Sequence, residues 1–150
     1  MGERRQFCSF FLDGLRFGVD VQKVQEVVPY QEMTRGPLAP PTVRGLLNLR
    51  GQIITGIDLR RRLELADRPV DRLPMNVVLR GEDSPVSFLV DEIGEVIEVA
   101  ADACERPPDT LRGRVRELIE AVYPLPDELL LILDTVRTLD LNLDKPRQGA

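Results

Sequence analysis

The chain has 150 residues, of which 43% are hydrophobic, 30% charged and 5% aromatic, and its formal net charge is −5. This composition is typical of a folded globular protein and argues against a disordered chain. No apolar run approaches the roughly 18 residues that cross a bilayer, so we expect a cytoplasmic protein without direct membrane insertion. The sequence contains no histidine, which excludes Ser-His-Asp and Cys-His catalysis and the common histidine-ligated metal sites.

Cysteine and charge counts limit the cofactors and partners further. Cys8 and Cys104 are too few for a zinc site built from cysteines alone; we expect both to be reduced, with a single bridge between them as the alternative. Residues 1–62 carry a charge balance of +4 and residues 63–150 carry −9, and an acidic chain is a poor nucleic-acid binder. The run Arg60-Arg61-Arg62 predicts either a surface for an acidic partner or, more simply, a solvated helix face. The sequence therefore predicts neither a cofactor nor a nucleic-acid partner.

The chain opens with a predicted β-hairpin. Phe7 to Leu12 and Leu15 to Val19 are β-type runs, and Asp13-Gly14 between them is a strong two-residue turn signal. Asp20 then predicts the N-cap of a helix of about two turns, with valines at helical spacing up to Pro29.

Two more strands are predicted after an irregular, proline-rich loop. They are Val43 to Leu49 and Gln52 to Ile57, on either side of Arg50-Gly51. Asp58 predicts the cap of another short helix, and residues 66–74 form a polar connection that contains prolines.

The second half again alternates strands with short helices. Its predicted strands are Met75 to Leu79, Val86 to Val90, Ile93 to Val99 and Leu129 to Leu133. Residues 100–114 predict a loop, and Val115 to Val122 fits either a helix or a strand. Asp134 predicts the cap of a last helix that has Val136 and Leu139 on one face.

Many short strands with turn signals every ~8–12 residues predict a mostly β protein. About nine or ten strands are too many for one small barrel, so we expect two intertwined barrel lobes in a single domain. The first lobe is expected at about residues 20–66 and the second at about 67–141, with the N-terminal hairpin packing between or onto them. Asp20, Asp58 and Asp134 each follow a strand and are predicted to be structural residues that start a short helix.

Carboxylates are the remaining candidates for catalysis, and their placement argues against it. Asp91 and Glu92 are neighbours on a strand and point to opposite faces, so they do not share a site. Glu95 and Glu98 belong to an alternating acidic edge that is typical of solvated surface. A small β-barrel enzyme acting through carboxylates is therefore the weakest hypothesis.

Arg50, which lies beside Gly51 and between two apolar strands, is the strongest candidate for binding. Its guanidinium suits a carboxylate or carbonyl of a partner, because it can donate two parallel hydrogen bonds. The competing interpretation is an ion pair inside the protein, for example with Asp58. On the predicted first helix, Val24 and Val27/Val28 are either core residues or part of an exposed docking patch.

Four stretches of the sequence resemble the chemotaxis coupling protein family (CheW), and the resemblance covers roughly residues 7–141. They are Gly18 to Val27, Arg44 to Gly51, Ile57 to Arg60 and Phe88 to Val96. The Asn-Leu-Arg-Gly run followed by Ile-Asp-Leu-Arg is the most specific part. The resemblance implies a fold of two SH3-like five-stranded β-barrels.

The resemblance also implies a non-enzymatic adaptor. Such adaptors couple the cytoplasmic tip of a methyl-accepting chemoreceptor to the regulatory domain of a chemotaxis histidine kinase, and they help to build receptor–kinase arrays. Recruitment to these membrane-associated arrays and self-association in rings are further expectations. The positions that match the family's receptor- or kinase-binding residues are Val24, Gln25, Glu26, Gly45, Arg50 and Gly51.

Two departures from the family pattern bear on partner choice. Thr55-Gly56 stands where the family usually has proline followed by a β-branched residue, and Gly56 predicts a bulge or a close approach by another backbone. Ala121-Val122 stands where the family has a Gly-Val pair. The alternative function is a CheW-like regulatory module of a larger signalling protein in another two-component pathway. The short segments outside the predicted domain favour the separate adaptor.

Overall fold

The computed structural model describes residues 2–36, 38–81 and 84–141, and within them ten strands form two five-stranded sheets. The strands are β1 Arg4–Leu12, β2 Leu15–Asp20, β3 Val24–Pro29, β4 Val43–Leu49, β5 Gln52–Asp58, β6 Met75–Leu79, β7 Val86–Val90, β8 Glu92–Ala100, β9 Ile119–Pro124 and β10 Leu129–Leu133. The helices are α1 Leu59–Arg62, α2 Gly113–Leu118 and α3 Thr135–Leu139, and single 3-10 turns lie at Val21–Lys23 and Ala101–Ala103.

Each sheet is mixed and follows the same plan. One has the strand order β8-β1-β2-β10-β9 and the other β3-β6-β7-β5-β4. All neighbours are antiparallel except β2 with β10 and β5 with β7, which are parallel. The fold is therefore mostly β with two SH3-like five-stranded lobes, as expected, although neither lobe closes completely because two strands remain edges of each sheet.

The expected change of lobe near residue 66 is wrong. Strands β6 and β7 pair with β3 and β5, so the sheets divide after β7, near residue 91. The N-terminal hairpin β1–β2 does not pack between or onto the lobes, because it supplies the second and third strands of one sheet. Proximity along the chain favoured the wrong grouping, since the parallel pairing of β5 with β7 is not a hairpin contact.

The helix predicted after Asp20 is mostly wrong. Asp20 Oδ1 accepts a hydrogen bond from the backbone N–H of Gln22 at 2.9 Å, but it caps only the single turn Val21–Lys23. Residues Val24–Pro29 instead form β3, which pairs with β6. Valines at helical spacing are also good strand formers, because branching at Cβ restricts the side chain in a helix. The contact with β6 decides between the two.

Two other ambiguous segments are resolved by packing. Residues 115–122 contain both predicted elements, since α2 ends where β9 begins. The last helix buries only part of the expected apolar face: Leu139 packs against the core, but Val136 is 75% exposed, and Thr135 and Thr138 are buried. The hydroxyl of Thr138 is satisfied because it donates to the main-chain carbonyl four residues earlier at 2.7 Å.

The basic run differs from both of its interpretations, because Arg60 and Arg62 are buried. The Arg60 Nη2 atom lies 2.6 Å from Asp91 Oδ2. Arg62 Nε donates to the carbonyl of Thr138 at 2.7 Å, at the end of α3 where a positive charge is favoured. Of the three, Arg61 is the one with an exposed side chain.

The two sheets share one hydrophobic core. Its largest cluster combines Phe10 and Phe17 of one sheet with Val77 and Phe88 of the other, all almost completely buried. Each sheet adds a smaller cluster of its own. These are Phe7, Tyr123, Leu130 and Ile132 in one lobe, and Leu47, Leu49, Ile54 and Val78 in the other.

Across the residues that the structure describes, no helix has the length and apolar character needed to cross a bilayer. The same residues hold no group of three or more cysteine, aspartate or glutamate side chains placed to bind a metal ion. Cys8 and Cys104 are both free thiols. Burial, and secondarily the charge of Asp20, raises the pKa of the half-buried Cys8 thiol.

Candidate functional site

The turn between β4 and β5 presents the strongest candidate residue, Arg50, to solvent. Arg50 and Gly51 have positive φ angles of 52° and 85°, which is the backbone of the tight hairpin turn that matches the twist of two antiparallel strands. The Asn48 side-chain oxygen accepts a hydrogen bond from Gly51 N–H at 2.8 Å and braces this turn. The Arg50 side chain is 67% exposed.

Arg50 forms an ion pair with Glu26, in which Arg50 Nη2 donates to Glu26 Oε2. Glu26 lies on β3, at the opposite edge of the same sheet from β4, so the sheet curls to bring the two together. This hydrogen bond from Arg50 lowers the pKa of Glu26, which stays ionised. The competing interpretation of an ion pair inside the protein is therefore correct, but its partner is Glu26 and not Asp58. Asp58 caps α1 and accepts from Arg61 N–H at 3.3 Å.

The other two candidates on β3, Val24 and Gln25, immediately precede Glu26 in the chain. The register between β3 and β6 shifts between Val24 and Glu26, so Gln25 lies in a β-bulge outside the ladder. Bulges re-aim neighbouring side chains, and Val24 is packed against the shared core. Val28 packs against the cluster around Leu47. The expected docking patch is therefore reduced to Val27, which is 38% exposed.

Gly45 is buried in β4 and has an internal reason to be glycine. A Cβ atom there would lie 2.8 Å from the carbonyl oxygen of Thr34. Thr34 covers the edge of β4 through two backbone hydrogen bonds with Leu46, each 2.8 Å long. The close approach predicted at Gly56 also exists, but a side chain makes it: a Cβ at Gly56 would lie 2.7 Å from Met33 Sδ.

Sequence reasoning missed two exposed apolar residues beside Arg50. Leu46 is 44% and Ile53 55% exposed. Ile53 pairs with Asn48 and Leu46 with Thr55, so both apolar side chains are diagonal neighbours on the outer face of the hairpin. The sequence of β4 could have predicted the exposure of Leu46. Side chains alternate between the two faces of a strand, so if Leu47 and Leu49 are buried, Leu46 points to solvent.

We call Glu26, Leu46, Arg50 and Ile53 the Arg50 surface. An exposed guanidinium beside exposed apolar side chains is typical of a protein interface, where arginine is enriched and apolar groups become covered. The chemistry available is recognition: a partner carboxylate can accept hydrogen bonds from Arg50 in exchange for Glu26.

Comparison with known proteins agrees with this architecture. The family model described as the CheW-like domain matches residues 6–142. The chain is 32% identical over 136 residues to chemotaxis protein CheW of Treponema pallidum, which covers 88% of this chain and 80% of that protein. It is 30% identical to chemotaxis protein CheW of Bacillus subtilis, over 87% of this chain and 84% of that protein.

A solved structure shares the fold. The crystal structure of the scaffolding protein TtCheW from Thermoanaerobacter tengcongensis matches with a TM-score of 0.82 at 25% sequence identity, over 93% of this chain and 95% of that chain. The match of the family model to almost all of the described residues, together with the two relatives, shows that this chain belongs to the CheW-like domain family.

Proposed function

We propose that the chain is a non-enzymatic adaptor of a chemosensory system. It couples the cytoplasmic tip of a methyl-accepting chemoreceptor to the regulatory domain of a chemotaxis histidine kinase. Family membership and the likeness to a scaffolding protein support a scaffold role in chemotaxis. The observation that carries the proposal is the Arg50 surface, in which one β-hairpin carries an exposed turn arginine and two exposed apolar side chains.

Binding at this surface follows from the exposure of its groups. The Arg50 side chain is 67% exposed, whereas Glu26 is only 23% exposed. In the proposed complex a partner carboxylate therefore approaches Arg50 from its solvent side and takes the place of Glu26, while Leu46 and Ile53 are covered. Stable interfaces bury roughly 1,200–2,000 Å², and a few anchors supply most of the affinity. Arg50 is proposed as one such anchor.

The remaining proposed binding residues shape this surface. Gly51 permits the positive φ of the turn, Gly45 admits the close approach of the Thr34 backbone, and Val24 and Gln25 set the position of β3. The proposal includes a cytoplasmic location with recruitment to membrane-associated receptor arrays, and self-association in rings.

Titration calorimetry of the full chain against the isolated regulatory domain of a chemotaxis histidine kinase from the same organism tests the proposal. We expect micromolar binding that Arg50→Ala weakens by roughly tenfold or more, the range for an anchor residue. Arg112→Ala is the matched control, because Arg112 is also an exposed arginine, at the start of α2, and it should bind like the wild type.

Wild-type affinity in a folded Arg50→Ala variant would show that Arg50 is not part of the interface, but it would leave the adaptor function supported. Absence of binding to both the kinase domain and a receptor-tip fragment, with all proteins folded by circular dichroism, would overturn the coupling role.

A further inference from the structure

We propose that a second surface, distinct from the Arg50 surface, binds an acidic segment of a partner protein that also carries an apolar side chain. This surface is a cavity of about 350 Å³ between β4, α1 and the connection 66–74. We call it the arginine cavity and define it by Arg44, Arg61, Val70, Arg72 and Leu73. The two surfaces share no residue: Arg44 lies near the start of β4, and Arg50 lies in the turn after its end, six residues later.

Arg44 supplies the first recognition group. The register of β4 with β5 shifts between Val43 and Gly45, so Arg44 is the extra residue of a β-bulge, a feature that re-aims a side chain. Its side chain is exposed and lines the cavity. Within residues 2–36, 38–81 and 84–141, Arg44 forms no ion pair or side-chain hydrogen bond.

Two more guanidinium groups face the cavity in weak pairs. Arg61 Nε lies 3.4 Å from Asp67 Oδ1, with side chains 40% and 72% exposed. Arg72 Nη2 lies 2.9 Å from Glu92 Oε1, with both side chains about 60% exposed. Ion pairs between exposed groups contribute little to stability, so an incoming carboxylate can exchange with either acid.

Arg68 differs from these arginines and forms a fixed wall of the cavity. Its Nη2 atom lies 3.0 Å from Asp91 Oδ1, and the two side chains are only 10% and 14% exposed. Asp58 also lines the cavity, but it is largely buried and engaged with α1. Asp67 lines the cavity as well and is 72% exposed. The accessible groups are therefore three arginines against one carboxylate, and the cavity is net positive.

The rim of the cavity adds an apolar requirement. Val70 is fully exposed and Leu73 is 70% exposed, both on the connection 66–74. A single exposed apolar residue needs no explanation, but here two large ones border a cavity with three accessible guanidinium groups. A segment with glutamates or aspartates around an apolar residue satisfies both features, and the volume has room for only one or two of its side chains.

Fluorescence anisotropy with a labelled synthetic peptide tests this proposal without a kinase or receptor, so its outcome is independent of the proposed function. The probe is a fluorescein-labelled octapeptide in which glutamates flank two leucines. We expect binding that Arg44→Gln or Arg72→Gln weakens by roughly fivefold each, as for loss of one charge-assisted hydrogen bond. Arg112→Gln removes the same charge outside the cavity and should leave binding unchanged.

Variation of the probe separates the two features. Leu73→Ser should weaken binding of the leucine peptide but not of an all-glutamate peptide, and a glutamine-for-glutamate peptide should not bind. Equal losses in Arg44→Gln and Arg112→Gln would show general charge attraction and overturn the proposal. So would equal affinity for inorganic phosphate or for a single-stranded DNA oligonucleotide, or no binding of the peptide at low salt.

Discussion

At the scale of single residues, Asp91 joins the two lobes. It follows β7, and its Oδ2 atom accepts a hydrogen bond from Asp13 N–H in the β1–β2 turn at 2.8 Å. The same carboxylate pairs with Arg60 of α1 at 2.6 Å and with Arg68 at 3.0 Å. Asp13 belongs to the β1–β2 hairpin of one sheet, whereas Arg60 and Arg68 follow β5 of the other. Because the two arginines are mostly buried, removing the Asp91 carboxylate leaves their charges without this partner.

This arrangement predicts how stability depends on pH. Burial raises the pKa of Asp91, but the hydrogen bonds from Arg60 and Asp13 and the charges of Arg60 and Arg68 outweigh it, so the pKa lies below its ordinary 3.8. A carboxyl whose pKa is lowered by folding stabilises the protein above its ordinary pKa, and this stability is lost as pH falls through the folded value. We expect Asp91→Asn to lower the unfolding free energy by about 3 kcal/mol at neutral pH.

Urea unfolding measured from neutral pH down to about pH 3 checks both parts of this prediction. The variant should lose less stability than the wild type below about pH 4, because its side chain no longer titrates. Parallel curves for the two proteins would show that Asp91 contributes no proton linkage.

Gly45 gives a second prediction at this scale. Because a Cβ there would lie 2.8 Å from the main-chain oxygen of Thr34, Gly45→Ala should destabilise the protein by about 1–3 kcal/mol through overpacking. Gly36→Ala is the control, since nothing lies within 4 Å of a Cβ at that position. Thermal melts of both variants measure the effect, and similar melting temperatures for the two would contradict the tight approach.

At the scale of elements, Arg62 ties helix α1 to the end of helix α3. It is completely buried, and its guanidinium donates to the carbonyls of Thr138 and Arg137 at 2.7 and 2.9 Å. Arg62→Met should lower the unfolding free energy by about 3 kcal/mol, because buried carbonyls lose charged donors. Arg62→Lys should not restore it, since an ammonium group lacks the planar fork of donors.

Denaturant unfolding of these variants beside Arg61→Met tests this role. The control should change stability by less than about 1 kcal/mol, because Arg61 is 40% exposed and its closer ion-pair partner, Asp67, is 72% exposed. Full stability in Arg62→Lys would mean that charge alone, rather than the fork geometry, holds α3.

The elements also show what sequence could predict. Strands bounded by local signals were correct, such as the hairpins around Asp13-Gly14 and Arg50-Gly51, where positive φ angles suit the turn. The helix predicted for Val24–Pro29 was wrong, because this segment becomes strand β3 only through its pairing with β6, about fifty residues away in sequence. At the site, the turn that presents Arg50 was readable, but its pairing with Glu26 depends on the curl of the whole sheet.

At the scale of the molecule, the two sheets have the same topology with a permuted chain order. Strands β8, β9–β10 and β1–β2 of one sheet occupy the places of β3, β4–β5 and β6–β7 in the other. Asp58 and Asp134 are therefore equivalent. Asp58 caps the helix after β5 and Asp134 caps the helix after β10, and each of these strands runs parallel to the middle strand of its sheet. Asp20 corresponds to Asp91, because Asp20 ends and Asp91 directly follows the middle strand of its sheet, where the chain passes to the other sheet.

This exchange of chain between the sheets, together with their shared core, predicts that the lobes unfold as one unit. Phe88 is completely buried in the cluster that also holds Phe10 and Phe17 of the other sheet. Phe88→Ala should cost about 3–5 kcal/mol and should reduce hydrogen-exchange protection equally in both sheets.

Leu47→Ala is the matched comparison, because Leu47 belongs to the small cluster of one lobe. It should cost about 2–5 kcal/mol and still lower protection in both sheets, if the described strands open only together. Loss of protection confined to β3–β7 in this variant would show that one lobe opens alone. A separately opening lobe would mean that the contact of Phe88 with the opposite sheet does not couple the two lobes, despite the exchanged strands.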